Sequence, residues 1–193
     1  MSSERRWNER RFVLEESTTI NDGARTIFIN SMTPGTTVPP HFHKCFAETF
    51  DLISGSISVY SSNQPDLDIL ESSARELEVG NAVTFEPEVF HKYKVGGEDA
   101  VLRVTLTPGD PDFERLLKIM NGLDADGKLE KLGDSVVLMS AIMGLSDAHL
   151  IGPARDMLAD VRAQKADEIA KLRKELLAKY DTEEALQELL GSK

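Results

Sequence analysis

Cysteine is almost absent from this 193-residue chain. Cys45 stands alone, so no internal disulfide can form. The fold must be held by its core, and a chain of this length can bury one without staples. Tryptophan occurs once, and no run approaches the ~18 consecutive apolar residues of a membrane span. Basic residues are also short: 22 Lys and Arg face 33 Asp and Glu, a net charge of −11. Such a surface repels nucleic-acid phosphates and anionic membranes, so neither is an expected partner. Arg5, Arg6, Arg10 and Arg11 are interleaved with Glu4 and Glu9, and residues 1–10 read as a solvated, salt-bridged leader. No apolar secretory segment follows Met1, so the expected compartment is the cytoplasm, where a lone thiol stays reduced.

The texture of the chain changes near residue 108, dividing the leader (1–10), a β domain (11–108) and a helical extension (109–193). Up to that point, short alternating runs are separated by turn residues such as Pro34-Gly35, Ser54-Gly55 and Gly80-Asn81. The expected strands are 11–15, 25–31, 36–43, 47–54, 56–61, 67–71, 75–79, 82–86, 90–95 and 100–107. So many short strands imply a sandwich or barrel. Beyond it the apolar period becomes helical. Asp110-Pro111 opens one helix. Asp134 is placed to cap a second through about 144, and Gly152-Pro153 opens a long one to about Tyr180. A short last helix is expected from Asp181, with Glu184 completing a capping box. The stripe between Met157 and Tyr180 is expected to pack on the barrel or on a second subunit of a homodimer.

The chemistry is concentrated between Gly35 and Gly55, in the pattern Gly35-x5-His41-x-His43-x4-Glu48-x6-Gly55. Two histidines one residue apart on a strand face the same side. Val38-Pro39-Pro40 delivers an extended chain into the pair, and Glu48 enters on the next strand. An imidazole pair with a carboxylate suits one divalent ion, such as iron, manganese, nickel, zinc or copper. Further on, Gly80 and Pro87 turn the chain before His91, which sheet pairing can bring beside the other three.

These two segments resemble the two sequence motifs of the cupin superfamily. The first motif, G-x5-H-x-H-x3,4-E-x6-G, is met at every fixed position. The second, G-x5-P-x-G-x2-H-x3-N, is met at Gly80 and His91. Pro87 stands one position late, Val89 lies next to the place of the inner glycine, and Val95 replaces the asparagine. The resemblance covers roughly 11–107. It implies a mainly β fold, a double-stranded β-helix (jelly-roll) barrel, here with a C-terminal α-helical extension. It also implies a metal centre on His41, His43, Glu48 and His91.

Other residues read as structural. Cys45 shares the parity of His41 and His43 and reads as a small buried filler. His149 reads as a surface or helix-end residue. Asp124-Ala125-Asp126-Gly127 lacks the closing glutamate of a calcium loop. Phe28, Phe50, Tyr60, Phe85 and Tyr93 lie on expected strands and are candidates for an apolar lining. Four protein ligands leave an open position on a five- or six-coordinate metal, which points to an enzyme for a small enol, phenol or polyketide-like molecule. The favoured expectation is a quercetinase-like oxygenase in which Glu48 is ligand and catalytic base. Non-redox isomerase, cyclase or lyase chemistry, and a ligand-binding protein without turnover, are the alternatives.

Overall fold

The computed structural model describes residues 11–191, so the leader expected over 1–10 lies outside them. The chain forms two compact units, Met1–Asp110 and Pro111–Lys193.

The first unit contains β1 (Phe12–Glu16), β2 (Thr26–Met32), β3 (His41–Phe42), β4 (Ala47–Ser54), β5 (Ile57–Ser62), β6 (Arg75–Leu77), β7 (Ala82–Phe85), β8 (Phe90–Val95) and β9 (Ala100–Thr107). One antiparallel sheet runs β1-β2-β9-β4-β7, and the other orders this unit's strands β3-β8-β5-β6. From β2 to β5 and again from β6 to β9 consecutive strands alternate between the sheets, as in a double-stranded β-helix. Apolar residues at every second position close the interior: Phe50 and Leu52 on β4, Ile57 and Val59 on β5, Leu102, Val104 and Leu106 on β9 are all buried.

Register sets the inner rows. Glu48 lies between Phe85 and Leu106, and Phe50 between Val83 and Val104. In the other sheet His41 pairs with His91, whose opposite neighbour is Ser61; one rung along, Val59 stands between Tyr93 and Arg75. The metal-ligand candidates thus occupy one level of the barrel, above a level filled by aromatic and aliphatic side chains.

Two expectations for this unit are corrected. Residues 67–71 are not a strand: Leu67–Ser72 is a helix, α1, because the Asp66 carboxylate accepts from the amides of Asp68 and Ile69. The strand expected over 36–43 shrinks to β3, preceded by an isolated bridge between Thr37 and Lys94. Pro39 and Pro40 have no amide hydrogen to give a ladder.

The second unit is helical: α2 (Pro111–Ala125), a 3-10 turn (Leu129–Asp134), α3 (Val136–Met143), α4 (Gly152–Gln164), α5 (Ala166–Tyr180) and α6 (Glu183–Leu189), with a two-residue strand, β10 (His149–Leu150). Ser135, not Asp134, caps α3, its side chain accepting from the Leu138 amide. The single helix expected over 152–180 is two. No apolar residue larger than alanine stands between Val161 and Ile169, so burial does not hold the helix through Lys165, whose backbone leaves the helical region at φ −127. Thr182, not Asp181, caps α6 by accepting from the Ala185 amide. Asp181 instead pairs with Arg115 and Lys118. The α2 and α5 helices meet closely at Gly122, where an added Cβ would lie 2.2 Å from the Tyr180 ring.

Gly55 shows why the first motif ends in glycine. Its φ is +84, and a Cβ there would sit 2.3 Å from the Asp99 carbonyl oxygen and 2.6 Å from the Ala100 Cα. Gly80 has a similar φ of +81 but open space around it. Gly55→Ala is therefore expected to destabilise the barrel by more than about 2 kcal/mol, and Gly80→Ala by about 1 kcal/mol. Urea denaturation of the two variants reads this, and equal losses would contradict the close-packing explanation. Gly122→Ala should cost about 1–3 kcal/mol through displacement of Tyr180; an unchanged thermal midpoint would count against it.

Candidate metal centre

His41 opens β3, His43 follows just beyond its end, Glu48 is the second residue of β4 and His91 the second of β8. All four are buried, and one donor atom from each lies within 4.8 Å of the others. The ring centroids of His41 and His91 are 4.4 Å apart, of His41 and His43 4.9 Å, and of His43 and His91 5.3 Å. The Glu48 Oε2 is the focus, 3.0 Å from His91 Nε2 and 3.3 Å from His43 Nε2.

Backbone carbonyls set two of the rings. His41 Nδ1 lies 2.8 Å from the Pro39 oxygen, and His91 Nδ1 lies 2.9 Å from the Val89 oxygen. A carbonyl only accepts, so each Nδ1 carries the hydrogen. In the neutral ring Nε2 then presents a lone pair to the interior. For His91 that lone pair faces a carboxylate oxygen at 3.0 Å. Two acceptors at this distance repel unless a proton or a metal cation lies between them. Burial, the neighbouring His91 and His43 oppose protonation of His41, overcoming the pull of Glu48, and lower its pKa to about 3. Burial alone would raise the Glu48 pKa, but the His43 and His91 imidazoles beside it favour the anion and hold it below the usual carboxylate range. The donor set is thus one anion and nitrogen donors of borderline softness turned inward, and it fits a divalent transition metal.

The second motif's departures are resolved locally. The place of its inner glycine is residue 88, and Glu88 adopts the left-handed conformation there, with φ 67. Its amide donates to the His43 carbonyl oxygen at 2.7 Å. The β7–β8 turn thereby ties the His43 segment to the strand that carries His91.

Aromatic side chains wall the donors. Phe85 stacks on His91 at 4.5 Å with the planes 5° apart. Phe50 stands edge-on to both Phe85 and Tyr93. Phe46 lies 4.3 Å from the His43 ring and is buried. It was absent from the expected lining, although its parity with Glu48 and Phe50 marks it. Phe28 is buried in the barrel. Tyr60 is not part of the lining: it faces outward, with the Lys92 ammonium 4.3 Å above its ring. Cys45 is exposed rather than buried. The chain bends at Lys44 and Cys45, so the strand parity shared with His41 ends before it. His149 is outside the cluster, with Nε2 2.8 Å from Asp147. Asp126 receives the Tyr180 hydroxyl at 2.8 Å and the Lys179 ammonium at 2.5 Å.

No model of a known protein family and no curated protein matches the chain. Solved structures do. KdgF from a Halomonas species is 16% identical over 53% of this chain and 81% of its own, with a TM-score of 0.44. A conserved protein with a double-stranded β-helix domain from Klebsiella pneumoniae is 20% identical over 52% and 76%, with a TM-score of 0.40. A protein from Bacillus halodurans is 14% identical over 57% and 80%, with a TM-score of 0.46. Likeness of this degree carries no argument about activity. Among the described residues no helix is long and apolar enough to cross a membrane.

The lowered pKa of His41 predicts an acid-sensitive metal-free protein. Unfolded His41 takes up a proton near 6.5, whereas the folded residue does so only near 3. The unfolded state therefore binds more protons in that window, and stability falls as pH is lowered through it. Glu48, also lowered, adds in the same direction below about 4.5. The urea midpoint of the metal-free protein should drop steadily from pH 7 to pH 4. A flat profile would show that these groups are not buried as described.

Proposed function

We propose that this chain, a cupin in fold, is a metal-dependent enzyme that acts on a small organic molecule, and that its reaction is an oxygenation of an enol or phenol of the quercetinase-like type. His41, His43, Glu48 and His91 would hold the ion. The observation that carries the reading is their convergence: four buried donors within 4.8 Å, two of them fixed by backbone carbonyls. When bound, a divalent metal of this kind would polarise a substrate oxygen and lower its pKa.

The chain's own residues do the rest. Phe46, Phe50 and Phe85 present apolar surface beside the donors and keep water from the site. The Pro39 and Val89 carbonyls fix the tautomers of His41 and His91. Glu48 is held as an anion between two imidazoles, a state suited to a ligand. To serve also as a base it must release one of those contacts and accept the substrate's proton on the freed oxygen.

Substitution of Glu48 separates the roles. Glu48→Gln keeps the size and removes the charge. If Glu48 is the base, turnover should fall about 10²–10⁴-fold when rates are compared at equal metal content. If it is a ligand alone, the loss should track metal content. Oxygen uptake with a panel of enols, phenols and β-diketones tests the reaction class. Undiminished turnover in anaerobic buffer would replace oxygenation by non-redox isomerisation, cyclisation or elimination, and no turnover across the panel would leave a ligand-binding protein.

A further inference from the structure

We infer that Ser61 is a positioning residue for the substrate. Its hydroxyl takes a second substrate oxygen beside the one that the metal binds, so the substrate carries two oxygens on adjacent or alternate carbons. This rests on the metal-dependent reading above and narrows its substrate class.

Register puts Ser61 at the donors' own level, where it pairs directly with His91 across β5 and β8. The buried Ile57 and Val59 precede it at two-residue steps. Alternation therefore turns Ser61 inward, while the intervening Tyr60 meets Lys92 on the outer face. The Ser61 amide donates to Ser73 Oγ at 2.9 Å, on the side of β5 away from β8. Ser61 and His91 are thus a non-hydrogen-bonded pair, the closer kind, with about 4.5 Å between Cα atoms. Strand β6 begins only at Arg75, opposite Val59, so β5 is the last strand of its sheet at this level. Ser61 is accordingly half-buried, whereas all four donors are buried. It is a hydroxyl beside the centre that solvent reaches.

Its surroundings at that level are apolar or already bonded. In the facing sheet Glu48 is flanked by Phe85 and Leu106, both buried. Beyond Leu106 stands Thr26, whose hydroxyl accepts from the Asp110 amide at 3.2 Å. The Ser73 hydroxyl accepts from Ser61 and donates to the Leu70 carbonyl oxygen at 2.7 Å. Among the described residues no group bonds the Ser61 hydroxyl. A hydroxyl both donates and accepts, so it can serve a carbonyl, a phenolate or a second hydroxyl. A mostly apolar pocket orients its ligand through a few such polar groups. The metal fixes one oxygen, and the hydrogen bond to Ser61 fixes the rotation of the molecule about it. The short span between His91 and Ser61 limits the second oxygen to a neighbouring or next-but-one carbon.

The test uses the full chain loaded with zinc in anaerobic buffer, so that binding is read without turnover. Catechol and acetylacetone, with oxygens on adjacent and alternate carbons, are titrated calorimetrically beside phenol, which has one oxygen. At least one two-oxygen probe should bind the wild type more tightly than phenol. Ser61→Ala should weaken that probe about fivefold, the loss of one neutral hydrogen bond, with phenol and zinc affinities unchanged. Ser61→Thr keeps the hydroxyl and should bind the probe within about twofold of the wild type. Three results overturn the inference while the metal reading stands: undiminished binding of both two-oxygen probes by Ser61→Ala, a parallel loss of phenol or zinc affinity in that variant, or a zinc-loaded wild type that binds neither probe better than phenol. Failure of the wild type to take up zinc or any other divalent metal overturns the metal reading itself.

Discussion

The structure depends on the repulsion that its centre would have without a cation. Three imidazoles and a carboxylate converge in a buried space, and two of the imidazoles have given their one hydrogen to backbone carbonyls. The faces left to one another are acceptors. Burying such groups with their acceptors facing one another is costly, and a metal ion held by all four would remove that cost. The barrel's register is what brings the four donors to one point. Pairing His41 with His91 fixes one edge of the donor set. The alternation of β4, locked between β7 and β9, delivers Glu48 opposite them.

The connections between strands preserve this arrangement. Gly55 lets β4 turn into β5 against the Ala100 backbone, where no side chain fits. Glu88 holds the β7–β8 turn in a conformation that costs an ordinary residue about 1–2 kcal/mol, and its amide ties down the His43 carbonyl. A strained residue at a turn that binds one donor segment to another is where a fold concentrates positional precision.

Much of the barrel and its donor set was legible in the sequence, because both rest on period two. Strands β4, β8 and β9 fall where alternation put them, and the His-x-His spacing told which rings share a face. Period two failed where the chain leaves the strand. Cys45 lost its parity at a bend. Residues 67–71 became helix because the Asp66 cap and the helix-favouring Leu67 and Leu70 outweighed the β-branched Ile69. Tyr60 alternates with the buried Val59 and so faces outward, where it meets its cross-strand partner Lys92. Phe46 escaped because it lies in the irregular link between His43 and Glu48. In the helical unit the caps moved by a residue, from Asp134 to Ser135 and from Asp181 to Thr182. There serine and threonine hydroxyls reach the amides, and in the second case the aspartate is held by an arginine and a lysine.

The central claim is that these four side chains share one ion. X-ray absorption at the metal edge, on protein purified without added chelator and reconstituted with zinc, tests it most directly. Shared ligation predicts one ion per chain, a first shell of nitrogen and oxygen only at roughly 2.0–2.2 Å, outer-shell scattering from imidazole rings, and loss of that signal in His91→Ala. A sulfur scatterer, or a spectrum unchanged by His91→Ala, would contradict it.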